Sequence, residues 1–204
     1  MNQDRRDRLR DAAIAVLARE GGRGLTHRAV DAEAVVPTGT AKNYFPTRDT
    51  LLRAAAERCA EQYRVPAATV AQTGPETGPE AGRGPFDAAQ LAALLAGLLR
   101  NAAGPGRTRV LAYLELRAEA ARRTWLATLL DPVAAADFAA HAHLLRAAGL
   151  PAGPERARAL TLALHGAVPH LLTGAPATLA AAGLDDLDRF TRELLAAVCE
   201  EETG

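Results

Sequence analysis

At 204 residues the chain is long enough for one or two domains with a sizeable core. Hydrophobic residues make up 49% of it but aromatics only 4%; helix formers such as Ala, Leu and Arg abound while the residues favoured in sheets are scarce, so an all-α fold is expected. The formal net charge is +0, the N-terminus MNQDRRDRLR lacks the apolar stretch of a signal peptide, and Arg, Asp, Pro or Gly interrupts every apolar run before it could span a bilayer, which points to the cytoplasm and away from a membrane.

A first helix is predicted from Leu9, Ala13, Val16 and Leu17 at helical spacing, stopped by Gly21-Gly22. Residues 25–52, LTHRAVDAEAVVPTGTAKNYFPTRDTLL, then read as two short helices, a tight turn and the start of another helix, which is how a helix-turn-helix is written. Thr26 can N-cap the first of these, and Val35-Val36-Pro37 closes it because a residue before proline is pushed out of helical geometry. A short helix then starts near Thr38 or Gly39 and carries Thr40, Lys42, Asn43 and Tyr44, side chains able to reach phosphates and base edges in a major groove. Pro46-Thr47 ends it, with Thr47 as the next N-cap and Asp49 in the favourable first turn of a longer helix running to about Tyr63.

Residues 4–58 resemble the DNA-binding head of the TetR family of bacterial transcriptional regulators: Gly39-Thr40, the aromatic pair Tyr44-Phe45, and the run Asp49, Leu51, Leu52 occur in the family's order and spacing. The resemblance implies a three-helix head joined to a C-terminal bundle that senses a ligand and dimerises. It also implies DNA contacts from Thr26, His27, Arg28, Thr38, Gly39, Thr40, Lys42, Asn43, Tyr44 and Arg48, with Arg28 and Arg48 gripping phosphates, while Phe45 points into the core. Two positions depart from the family's pattern. Val35 stands where a turn glycine is usual, so either the turn is built differently or the helix ends a residue later. Lys42, the only lysine in the chain, stands where a tyrosine is common and replaces a stacking ring with a mobile point charge.

Residues 1–65 hold 12 Lys plus Arg against 9 Asp plus Glu and the remainder 12 against 15, so the positive excess sits on the head, where contact with phosphates requires it. Residues 66–86 shift to repeated Gly-Pro and Gly-Arg-Gly with no apolar period; a flexible loop is expected there, disordered over at least 73–84, dividing the head at 1–65 from a domain at 87–204.

That C-terminal part reads as successive helices. Leu91, Leu94, Leu95, Leu98 and Leu99 form a stripe ended by residues 101–106; 107–123 comes next; 125–148 is one helix interrupted at Asp131-Pro132; then come 154–172 and 184–200. Residues 154–172 are apolar on nearly every side and must be covered on every face, which a second subunit does economically. A homodimer is therefore expected, and the resemblance places its interface on the last two long helices, with Leu160, Ala163, Leu164, Ala167, Leu171, Leu187, Leu194, Leu195 and Val198 as candidate contacts. Polar residues amid apolar helix faces, Tyr113, Glu115, Arg117, Trp125, His141, His165 and His170, are candidates to line a pocket for an apolar small-molecule effector, although each reads singly as packed structure.

Enzymatic chemistry finds little support. His141 and His143 are two apart on a helix and point apart, His165 and His170 are five apart with Pro169 between, and Glu115 with Glu119 lacks a histidine three residues on. Cys59 and Cys199 lie in helical patterns and read as reduced packing residues, and no metal or phosphate motif occurs, so no cofactor, metal ion or catalytic residue is expected. The expected function is a regulator, repressing by default, that binds a double-stranded pseudo-palindromic operator and leaves it when an effector binds; the alternatives are a helical-bundle enzyme or a DNA-binding protein without a ligand.

Overall fold

A computed structural model describes residues 3–72 and 86–199. Ten helices cover these residues: α1 (Gln3–Gly24), α2 (His27–Glu33), α3 (Thr40–Tyr44), α4 (Arg48–Gln72), α5 (Ala88–Ala103), α6 (Arg107–Ala120), α7 (Thr124–Ala147), α8 (Pro154–Thr173), α9 (Pro176–Ala181) and α10 (Leu187–Cys199). The fold is all-α, with no strand among the described residues. No helix among them is long and apolar enough to cross a membrane.

Contacts divide the chain into two compact units, one of residues 1–65 with 106–134, the other of 66–105 with 135–204. Residues 106–134, read from sequence as part of the C-terminal domain, thus pack with the head. In the first unit Leu9, Val16 and Leu17 of α1, Val30 of α2, Phe45, Leu51, Leu52 and Cys59 join Ala112 and Leu116 of α6 and Leu126 and Leu130 of α7 in one buried core. Gly21 takes φ 69° and kinks α1 before its last residues, and the freed N–H of Gly22 donates to Glu115 Oε2 at 3.1 Å. Glu115, a candidate pocket liner by sequence, therefore holds the end of α1 against α6. Arg10, 7% exposed, fastens α1 to α4 by donating to Glu61 at 2.6 Å, Asp7 at 3.0 Å and the Ala54 carbonyl at 3.3 Å. Asp11 accepts from Arg58 at 2.7 and 3.0 Å along the same contact.

In the second unit Leu91, Leu95 and Leu99 of α5 pack with Leu144 and Leu145 of α7, Leu160 and Leu164 of α8, and Leu195 of α10. A capping box starts α5: Asp87 accepts from the Gln90 N–H at 2.9 Å and Gln90 accepts from the Asp87 N–H at 3.1 Å. The buried Thr191 hydroxyl donates to the Ala92 carbonyl at 3.0 Å and ties α10 to α5. Pro132 sits inside α7, which runs through the expected break as one helix.

Two expectations on helix bounds change. The fourth helix continues past Tyr63 to Gln72, carrying Pro66 within it, so residues 66–72 are helix where a loop was expected; residues 73–85 of that loop lie outside the described residues. The short α9, begun by Pro176 at its first position, has no counterpart in the sequence reading, because six residues make too short a period to recognise.

Candidate functional site

The head builds its presented face from α2, the turn after it, and α3. Thr26 caps α2 as expected, its Oγ1 accepting the Ala29 N–H at 3.1 Å. The helix ends in a Schellman arrangement, with the Val35 N–H donating to the Ala32 carbonyl at 3.2 Å and the Val36 N–H to the Asp31 carbonyl at 3.0 Å. That arrangement requires a left-handed residue, and Val35 supplies it at φ 53°. Neither sequence alternative holds: the helix does not run on and the turn is not rebuilt. The valine takes the backbone a glycine would take, with its side chain 88% exposed.

Asp31, 2% exposed, fixes the start of α3. Its Oδ2 accepts the Gly39 N–H at 2.7 Å and its Oδ1 the Ala41 N–H at 2.6 Å. One carboxylate of α2 thus satisfies two orphan donors there and sets the angle at which α3 leaves the turn. Gly39 precedes α3 at φ 93°, a conformation open to glycine. The resulting helix is five residues, just over one turn. Ala41 and Phe45 face the core, Thr38, Lys42 and Asn43 are exposed, and Gly39, Thr40 and Tyr44 are half-buried. Thr40 donates to the Pro37 carbonyl at 2.5 Å. Tyr44 packs against the core with its ring 6.4 Å from that of Phe45.

The remaining expected contacts divide by what their donors already do. Arg28 is exposed. His27 donates from Nε2 to the Phe45 carbonyl at 2.6 Å, joining α2 to the end of α3. The Arg48 guanidinium donates to the carbonyls of Leu25, at 2.5 Å, and Gly22, so two of its nitrogens hold the end of α1 and the loop before α2. Thr47 caps α4 as expected, exchanging hydrogen bonds with Thr50 at 3.0 and 3.1 Å.

The candidate effector-binding residues do not come together within one unit. Tyr113, Arg117 and Trp125 belong to the first unit. There Tyr113 packs on Tyr63 with ring centroids 4.8 Å apart, Trp125 lies under the Arg53 guanidinium at 4.4 Å, and Arg117 reaches Asp131 at 3.8 Å. His141, His165 and His170 belong to the second. His141 is buried between α7 and α8 and donates from Nδ1 to Thr161 Oγ1 at 2.9 Å; the threonine hydroxyl is already donating to the Ala157 carbonyl at 2.7 Å, which selects the Nδ1–H tautomer. Burial pushes the His141 imidazole down to about 4, only partly opposed by Asp137. His165 pairs with Asp137 at 3.1 Å on the outer side of the same contact, and His170 is exposed.

A pocket of about 300 Å³ in the second unit is lined by Ala88, Ala89, Leu150, Leu195, Ala196 and Cys199, with Arg192 as its charged member. None of the candidate effector-binding residues lines it, because it forms where α5 begins and α10 ends, away from the histidines. Both cysteines are free; burial pushes the Cys59 thiol up to about 12, as a packing residue in an apolar core requires. No group of His, Cys, Asp or Glu among the described residues could hold a metal ion.

Of the expected interface residues, Leu160, Leu164, Ala167 and Leu195 are already covered by their own chain. Ala163, Leu171, Leu187, Leu194 and Val198 remain half-buried, and beside them on α8 Leu162 stands 61% exposed with Gly166 also open.

Comparison with known proteins agrees with this architecture. Residues 86–200 match the family described as Tetracyclin repressor-like, C-terminal domain. A member of the TetR family from Streptomyces coelicolor A3 is 34% identical, with 97% of this chain and 99% of that one covered and a TM-score of 0.64. The multidrug binding protein EbrR, solved in complex with imidazole, is 32% identical over 100% of this chain and 94% of its own, with a TM-score of 0.61. A transcriptional regulator from Rhodococcus sp. Rha1 has the same fold at 21% identity and a TM-score of 0.71, over 95% of each chain. No curated protein sequence matches. A three-helix head with a helix-turn-helix, a C-terminal helical domain of the matching family, and relatives above 30% identity over nearly the whole chain place this protein in the TetR family of transcriptional regulators.

Proposed function

We propose that the protein is a homodimeric DNA-binding repressor that occupies a short pseudo-palindromic operator and releases it on binding a small, largely apolar effector. The observation that carries this reading is the Asp31 carboxylate bridging the Gly39 and Ala41 N–H groups. It holds α3 so that Ala41 and Phe45 face inward while Lys42 and Asn43 are presented outward. Lys42, Asn43, Thr38 and Thr40 reach the major groove, with Gly39 allowing close approach and Tyr44 flanking them. Thr26, His27 and Arg28 meet the backbone at the start of α2, and Arg48 lends its remaining N–H donors to a phosphate.

Two heads are needed because one reads only a half-site. The exposed Leu162 and Gly166, with half-buried Ala163 and Leu171 on α8 and Leu187, Leu194 and Val198 on α10, supply an apolar surface for a second copy. Dimer conformations that differ in head spacing then link the two ligands: an effector favouring the wrong spacing weakens DNA binding by the same factor that DNA weakens its own binding. The relative EbrR, whose structures include complexes with proflavin and ethidium, supports a flat aromatic molecule as the first class of effector to try.

Selection of bound duplexes from a random-sequence DNA pool tests the reading. The expected product is a pseudo-palindrome, bound more weakly by Lys42→Ala, which leaves the melting curve unchanged, and released when proflavin or ethidium is titrated in. Recovery of no enriched sequence would refute the DNA-binding role; enrichment without release by any small molecule would leave a regulator that does not sense ligands.

A further inference from the structure

Arg6 lies near the start of α1, and its guanidinium carbon sits 5.0 Å from the centre of the Phe45 ring, over its face. Phe45 closes α3, and three helices converge on it: α1 through Arg6, α2 through the His27 hydrogen bond to its carbonyl at 2.6 Å, and α3 through the neighbouring Tyr44 ring. At 2% exposure Phe45 is anchored in the head core, so it is a fixed platform. A guanidinium held over a ring keeps its N–H donors free for a further partner, since the stacking uses the π-face of the cation and not its hydrogens.

Several other arginines of the head are committed elsewhere. Arg10 donates to Asp7 and Glu61, Arg58 to Asp11, Arg19 to Glu33 and Arg48 to two carbonyls. Arg6 is half-exposed, and among the described residues its stacking on Phe45 is its only specific contact. It is a positioned cation, beside the exit of the DNA-facing helix, with its hydrogen-bonding capacity unused.

We propose that Arg6 is a further DNA-contacting residue, delivering from α1 a hydrogen-bonded ion pair to a backbone phosphate of the operator beside the end of α3. The contact rests on the DNA-binding role proposed for the head. The stack on Phe45 fixes the orientation of the guanidinium before binding, so less side-chain freedom is lost when the phosphate arrives. The contact carries no base preference, and it strengthens binding to any duplex.

Affinity measured against salt tests the assignment, with two probes: a duplex selected from the random pool and a scrambled duplex of equal length. Arg6→Ala is expected to weaken binding to both and to lower the slope of log affinity against log salt by about one. Arg6→Lys, which keeps the charge but loses the planar fork, should restore the slope while recovering only part of the affinity. Arg8→Ala removes an equal charge two residues along α1, on another face of the helix, and should leave the slope unchanged. An unchanged slope for Arg6→Ala, or an equal drop for Arg8→Ala, overturns the assignment. Wild-type protein that binds neither duplex overturns the DNA-binding reading and this contact with it. Melting curves recorded beside each titration separate a lost contact from a lost fold.

Discussion

Replacing Val35 with glycine is expected to stabilise the head by about 0.5 to 1 kcal/mol, the difference between released strain and added chain freedom. Val35 sits at φ 53°, where contact between Cβ and the backbone disfavours an L-residue by about 1–2 kcal/mol and a β-branched side chain is worst placed. Its side chain is 88% exposed, so truncation removes almost no packing. Against the released strain stands the extra freedom glycine has in the unfolded chain, worth about 0.5–1 kcal/mol. Strain is the larger effect. In a chain of this length the gain should raise the midpoint of a thermal melt, followed by circular dichroism, by about 1–4 °C. Val35→Ala keeps a Cβ but loses the branch and should fall between the two. Operator affinity should not change, because the Schellman hydrogen bonds are made by backbone that glycine keeps. A melt for Val35→Gly at or below the wild-type midpoint, or Val35→Ala more stable than Val35→Gly, would refute the reasoning.

Asp31→Asn should destabilise the head by about 2 kcal/mol, since one amide oxygen cannot accept from both the Gly39 and Ala41 N–H groups; a urea midpoint equal to wild type would count against the bridge. Stability should also fall as pH drops from about 6.5 to about 4, because His141 takes a proton readily in the unfolded chain but in the fold only near 4. Above 6.5 it is neutral in both states and its contribution is fully present; the loss amounts to about 3 kcal/mol at most, at about 1.36 kcal/mol per unit. His141→Gln should flatten the urea midpoint between about pH 7 and pH 5, and an equally steep dependence in that variant would assign the effect to other groups. Leu162→Glu should convert dimer to monomer in sedimentation and abolish operator binding, while the monomer keeps its helical circular dichroism; a dimer at micromolar concentration would place the interface elsewhere.

What could be read from the sequence is what short-range chemistry decides. The Thr26 and Thr47 caps, the stop at Val35-Val36-Pro37 and the inward Phe45 each depend on residues within one or two turns, and each stands in the structure where the sequence puts it. Asp31 gives no such signal, because its role is to bond N–H groups eight and ten residues on, a relation no helical period encodes. The candidate pocket residues divide between the two units for a related reason. Periodicity shows that Tyr113 and Trp125 face apolar neighbours but not which ones, and their partners turn out to be Tyr63 and Arg53 of α4. On α8 the sequence shows apolar residues on nearly every side, yet only burial distinguishes Leu160 and Leu164, facing their own core, from Leu162, left open.

Burial also decides how α3 keeps its orientation. Val35 and Asp31 act on one turn in opposite senses: the valine stores about 1–2 kcal/mol of backbone strain, and the buried carboxylate returns two charge-assisted hydrogen bonds, each worth about 1.5–3 kcal/mol. The hydrogen bonds exceed the strain, so the turn holds its left-handed residue and α3 leaves it at a fixed angle. Had Asp31 been exposed, water would have competed for its oxygens and the balance would have narrowed; at 2% exposure it does not. A helix of five residues cannot hold its own geometry, since helix nucleation is unfavourable at that length. Its orientation must come from outside, and Asp31 at its start with His27 at its end supplies both anchors from the single helix α2.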